Sequence, residues 1–86
     1  MRPLDNEQTM AFSVKVDREQ ELKKNLTAVY DALKKKGYNP INQIVGYILS
    51  EDPTYITTYN NARSIVRHID RDELLQALVK NYLNAD

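Results

Sequence analysis

The chain contains no cysteine, and only two of its 86 residues are glycine. Without cysteine, neither a disulfide framework nor a Cys-based metal site can add to the stability of so small a domain. The two glycines, Gly37 and Gly46, do not form a Gly-rich phosphate-binding loop. An excess of one charge is also missing, because twelve basic residues balance twelve acidic ones. Since nucleic-acid binders usually carry a basic excess, we expect no nucleic-acid partner.

Long hydrophobic runs are missing as well. No apolar stretch approaches the ~18 residues that a membrane-spanning helix needs, so we expect no membrane insertion. The first eight residues, MRPLDNEQ, are polar and lack the apolar core of a secretion signal. Together with the absence of cysteine, which fits a reducing compartment, these features predict a cytoplasmic protein.

Groups that carry out catalysis or bind metals are scarce. The single histidine, His68, lies in a helical pattern with no serine or threonine in a sharp turn beside it, which does not indicate a catalytic triad. Combined with Asp70 and Asp72, it lacks the ligand spacing of a metal site. We therefore predict a protein that is not an enzyme and that holds neither a metal nor a cofactor.

The middle of the chain predicts two helices. Apolar residues recur with the period of an α-helix over residues 17–36, and Gly37 then suits a left-handed C-terminal cap. Asn39, followed directly by a proline, is typical of a helix start and predicts a second helix over 40–50. Gly46 lies inside this second helix, where it costs ~1 kcal/mol relative to alanine. Its presence predicts the close approach of another helix backbone.

The last third of the chain predicts a short turn after Pro53 and two further helices. The inner face of the third helix is Ala62, Ile65, Val66 and Ile69. The fourth helix, with Asp70 or Asp72 as its cap, carries pairs of apolar residues every four positions: Leu74, Leu75, Leu78, Val79, Tyr82 and Leu83. The patterns together predict an all-α fold, a compact bundle of about four helices over residues 17–86.

The apolar row of the fourth helix is wider than one neighbouring helix covers. In a small domain with a limited core, a second copy of the chain is a common cover for such a face. The six tyrosines also suit a half-dry interface, although boundary positions of a small core are the alternative. We therefore predict that residues 17–86 form a homodimerisation domain whose interface includes Tyr47, Leu75, Leu78, Val79 and Tyr82.

Residues 1–16 are set apart from the helical pattern. Residues 1–8 are polar, and residues 9–16 alternate between apolar and polar side chains, as strands do. Because no other segment offers a partner strand, we favour a flexible or extended arm, with a strand formed across the dimer as the alternative. Thr9 in this arm is accessible to a kinase, and its phosphorylation would add roughly −1.5 to −2 charges per chain.

Three arginines follow one another along the third helix and the start of the fourth: Arg63, Arg67 and Arg71. They are candidates for binding a phosphate or a partner. A helix-turn-helix DNA-binding regulator, with the third helix in a groove, is one interpretation of this row. The other is a solvated face paired with nearby carboxylates, which the balance of charges favours.

The block GYNPINQIVGYILSEDPTYI, followed by NNARSIVRHIDRDELLQALVKNYL, resembles the IreB family of small bacterial regulatory phosphoproteins over nearly the whole chain. The resemblance implies a helical, cytoplasmic homodimer without catalytic activity. It also implies a substrate of a membrane Ser/Thr kinase with extracellular PASTA repeats, countered by a phosphatase and acting on an unknown downstream protein. The implied role is in the cell-wall stress response and intrinsic cephalosporin resistance.

The resemblance also implies one modification site. The family's phosphoacceptor threonine precedes a hydrophobic-x-Phe element, and Thr9-Met10-Ala11-Phe12 matches that pattern. A second threonine found a few positions earlier in some members has no counterpart here, where Asn6 lies nearby. The resemblance therefore implies that Thr9 is the phosphorylated residue.

Overall fold

A computed structural model describes the backbone of residues 3–85 and the side chains of residues 17–85. Within that part of the chain the structure is entirely helical, which confirms the predicted all-α class. The four helices are α1 (Pro3–Lys35), α2 (Pro40–Ser50), α3 (Ala62–Arg67) and α4 (Arg71–Leu83). Two 3-10 turns, Pro53–Tyr55 and Tyr59–Asn61, lie between α2 and α3.

Helix α1 begins earlier than the sequence predicted. Its start is at Pro3 instead of Asp17, so the backbone of residues 9–16 continues the helix where the pattern favoured an extended arm or a strand. A helix pairs its backbone groups within the segment itself, whereas a lone strand leaves them without partners. The lack of a partner strand was therefore a better guide to the backbone of residues 9–16 than the alternation of their side chains.

The junction between α1 and α2 agrees with its predicted capping residues. Gly37 has a φ of +86°, and the following N–H of Tyr38 donates to the carbonyl of Leu33 at 3.0 Å. Both features are typical of a glycine C-cap. The side chain of Asn39 then accepts a hydrogen bond from the N–H of Asn42 at 3.1 Å, which caps α2.

The core lies where the second half of α1 packs against α2 and α3. It consists of ten buried apolar residues: Val29, Ala32, Leu33, Ile44, Tyr47, Ile56, Ala62, Val66, Ile69 and Leu74. Ile69 was predicted on the inner face of the third helix, and it is buried although α3 ends at Arg67. Among the described side chains the core contains no polar or charged residue.

Gly46 is approached by an aromatic ring. The sequence predicted another helix backbone over this position, whereas the side chain of Tyr55 lies there. A Cβ built on Gly46 would be 2.5 Å from Cε1 of that ring. The side-chain amide of Gln43 donates to the carbonyl of Tyr55 at 2.9 Å, so the turn after α2 folds back onto the helix. Glycine at this position thus makes room for the turn.

Candidate interface on the last helix

The first turn of α4 is attached to the rest of the molecule. Asp70 caps the helix, since its Oδ1 accepts from the N–H groups of Asp72 and Glu73 at 2.9 and 3.1 Å. Leu74 is 2 % exposed and belongs to the core. Of the two caps that the sequence left open, Asp70 and Asp72, the structure uses Asp70.

Beyond this first turn the apolar row of α4 is exposed. Its large side chains are Leu75, Leu78, Val79, Tyr82 and Leu83, and the exposure reaches 89 % at Tyr82. Their spacing places them along one side of the helix. Four of the predicted interface residues therefore lie together on an apolar surface that the described part of the chain leaves exposed.

The fifth predicted interface residue lies elsewhere. Tyr47 is 7 % exposed and is part of the core, so its side chain offers little surface to a second copy. From the sequence, a tyrosine in the middle of an apolar helix fits an interface position and a core position equally well. The structure places Tyr47 in the core.

A second exposed apolar row lies on α2 and was not predicted as a surface. Ile41, Val45 and Leu49 are exposed, while Ile44 on the same helix is buried. The signal in the sequence was that α2 is apolar on both sides and contains no charged residue. A helix that packs on one side only usually carries charged residues on the other.

The three arginines do not form a free basic row. Arg63 donates from Nε to the carbonyl of Ile56 at 2.9 Å. Arg71 donates to the carbonyl of Ile48 in α2, and Arg67 lies exposed on α3. With only six residues, α3 is also short for a helix that reads a DNA groove, and no observation favours the helix-turn-helix interpretation.

Polar groups around the loops serve local structure. Hydrogen bonds from the hydroxyl and the backbone N–H of Thr54, at 2.7 and 3.0 Å, lower the pKa of the Asp52 carboxyl below its usual range. His68 donates from Nδ1 to the carbonyl of Ser64 at 2.8 Å. In the part of the chain with described side chains, no cluster of three potential metal ligands occurs. Across the described helices, none combines the length and apolar character of a membrane span.

Thr9, the predicted phosphosite, belongs to α1 by its backbone. Its side chain lies outside the described residues, so the assignment of a phosphate to Thr9 stays a prediction. The structure therefore supplies a candidate interface but adds nothing to the evidence for modification of this residue.

Comparison with known proteins identifies the family. The model of the IreB regulatory phosphoprotein family matches residues 7–84. A UPF0297 protein of Ruminiclostridium cellulolyticum is 63% identical over 76 residues, which cover 88% of this chain and 86% of the relative. A UPF0297 protein of Acetivibrio thermocellus is 55% identical over 80 residues, covering 93% of this chain and 89% of the relative. The chain therefore belongs to the IreB family of regulatory phosphoproteins.

Proposed function

We propose that this protein is a cytoplasmic, non-enzymatic regulator that acts as a homodimer and is switched by phosphorylation of Thr9. The observation that carries the proposal is the match of a regulatory phosphoprotein family to residues 7–84. The exposed apolar row of α4 supports the dimer, because such a row on a small soluble domain is usually covered by a partner.

The dimer interface is formed by the row of α4. Burying a large apolar side chain completely contributes about 1.5–3 kcal/mol, so covering these partly exposed side chains favours the association of two copies. A two-fold axis is the simplest arrangement, since it lets the same surface of each copy cover the other. The interface residues are Leu75, Leu78, Val79 and Tyr82, without Tyr47.

The switch is a change of charge on the N-terminal segment. A PASTA-type membrane Ser/Thr kinase adds the phosphate to Thr9, and its partner phosphatase removes it. The chain has a formal net charge of zero, so a phosphate changes the balance by roughly −1.5 to −2 charges per copy. Two copies in a dimer double that change.

The phosphate acts on a partner more readily than on the arginines. Arg63 and Arg71 already donate to backbone carbonyls, and a phosphate that captured them would leave those carbonyls without their donors. Repulsion between phosphorylated Thr9 and an acidic surface of the downstream protein involves no such loss. The downstream process is the cell-wall stress response, including intrinsic cephalosporin resistance.

Phosphorylation in vitro tests the switch. The full chain is incubated with a PASTA-type kinase domain and ATP, and the phosphorylated residues are mapped by mass spectrometry. We expect phosphate on Thr9 and its loss in Thr9→Ala. The matched control is Thr27→Ala, which removes the next threonine along the chain, an exposed residue of α1, and is expected to change nothing. Phosphate found only outside residues 1–16 would contradict the assignment.

A further inference from the structure

Two ion pairs tie the first turn of α4 to two different helices. Arg71 donates from Nη1 to the carbonyl of Ile48 in α2 at 3.1 Å, and its Nη2 lies 2.8 Å from Oε2 of Glu51. On the other side, Glu73 pairs with Arg18 of α1. Leu74 is the buried residue of α4. The first turn is therefore the part of α4 that fixes its direction.

The hydrogen bond from Arg71 satisfies a carbonyl group at the C-terminal end of α2. The carbonyl groups in the last turn of a helix lack partners within the helix, and Ile48 lies in that turn. A cation at this end also interacts favourably with the helix dipole. Glu51 caps α2 in a left-handed conformation, with φ 61°, and its carboxylate completes the pair with Arg71.

The arginines of the two ion pairs differ in how much they are shielded from water, whereas both carboxylates are exposed. The side chain of Arg71 is 32% exposed and that of Arg18 is 64% exposed, while Glu51 is 67% and Glu73 is 41% exposed. Exposed ion pairs contribute little, while a half-buried guanidinium bound to two acceptors contributes more. A lysine cannot reproduce this contact, because it lacks the planar fork that reaches both acceptors. Arg71 is therefore the stronger of the two attachments.

We propose that Arg71 is a positioning residue for dimerisation: by fixing the first turn of α4 against the end of α2, it sets the direction in which the apolar row faces a second copy. The inference rests on the proposed dimer. A helix of 13 residues is about 20 Å long, so a tilt of about 15° at the first turn displaces the far end by about 5 Å. Such a displacement misaligns Tyr82 with its counterpart.

The test compares full-length variants by hydrogen exchange and by sedimentation. Arg71→Gln is expected to raise the exchange rates of the amides in residues 75–83 about tenfold and to weaken dimerisation about tenfold, since a charge-assisted bond to a half-buried carbonyl is lost. Arg71→Lys keeps the charge and is expected to restore part of both effects. The matched control is Arg67→Gln on α3, which is expected to stay within about twofold of the unchanged protein.

The outcomes separate this proposal from the dimer itself. Arg71→Gln values within twofold of the unchanged protein in both measurements would overturn it. So would a uniform rise in exchange across α1 to α3, because that result indicates a general loss of stability. If the unchanged protein sediments as a monomer, the proposed dimer fails. Exchange in residues 75–83 then still shows whether Arg71 stabilises α4 through its first turn.

Discussion

At the scale of single residues, the connection between α2 and α3 depends on asparagines in an unusual backbone conformation. Asn60 and Asn61 have φ values of 51° and 61°, in the left-handed region that a Cβ disfavours. Asparagine tolerates this region better than most residues do. Asn61 directly precedes α3, but its side chain makes no capping bond. The two asparagines therefore serve to let the backbone turn between α2 and α3.

This role predicts how substitutions at Asn60 behave. Asn60→Ala is expected to destabilise the protein by about 1 kcal/mol, because alanine lacks the tolerance of asparagine for positive φ. Asn60→Gly serves as the matched variant and is expected to be neutral or slightly stabilising. Urea unfolding of both measures the difference. Equal stability of the two variants would show that the left-handed backbone is not what selects this residue.

At the scale of elements, the sequence predicted that the chain forms four helices, but it did not predict that α1 begins at Pro3. The start of α2 followed from Asn39 and Pro40, because capping chemistry is local. The roles of Arg63 and Arg71 did not follow, since each bonds to a carbonyl that only the tertiary fold brings within reach. For the same reason, the sequence pattern did not tell which side of α2 faces solvent.

The packing of the turn after α2 predicts that Gly46→Ala lowers the stability of the protein, whereas the same substitution in an exposed helix usually raises it. In an exposed helix, Gly→Ala usually stabilises by up to about 1 kcal/mol. Here Gly46→Ala is expected to destabilise by about 1–3 kcal/mol, because the new methyl group meets the ring of Tyr55. In a Tyr55→Ala background the same substitution is expected to stabilise. A substitution that stabilises in both backgrounds would be incompatible with the close contact.

At the scale of the whole molecule, α1 sets the shape. A helix of 33 residues is about 50 Å long, which agrees with the longest extent of the molecule, 53 Å. The core occupies one part of this length, where α2 and α3 pack against the second half of α1. One short domain therefore presents two exposed apolar rows, on α2 and on α4. Of these two rows, the row of α4 is the one that we propose as the dimer interface.

Sedimentation equilibrium tests that assignment most directly, with two valines as a matched pair. Val79 on α4 is 55% exposed, and Val45 on α2 is 46% exposed. The unchanged protein is expected to be a dimer, Val79→Asp a folded monomer by circular dichroism, and Val45→Asp a dimer. A folded monomer for the unchanged protein at every concentration reached, or dissociation by Val45→Asp but not by Val79→Asp, would contradict the account.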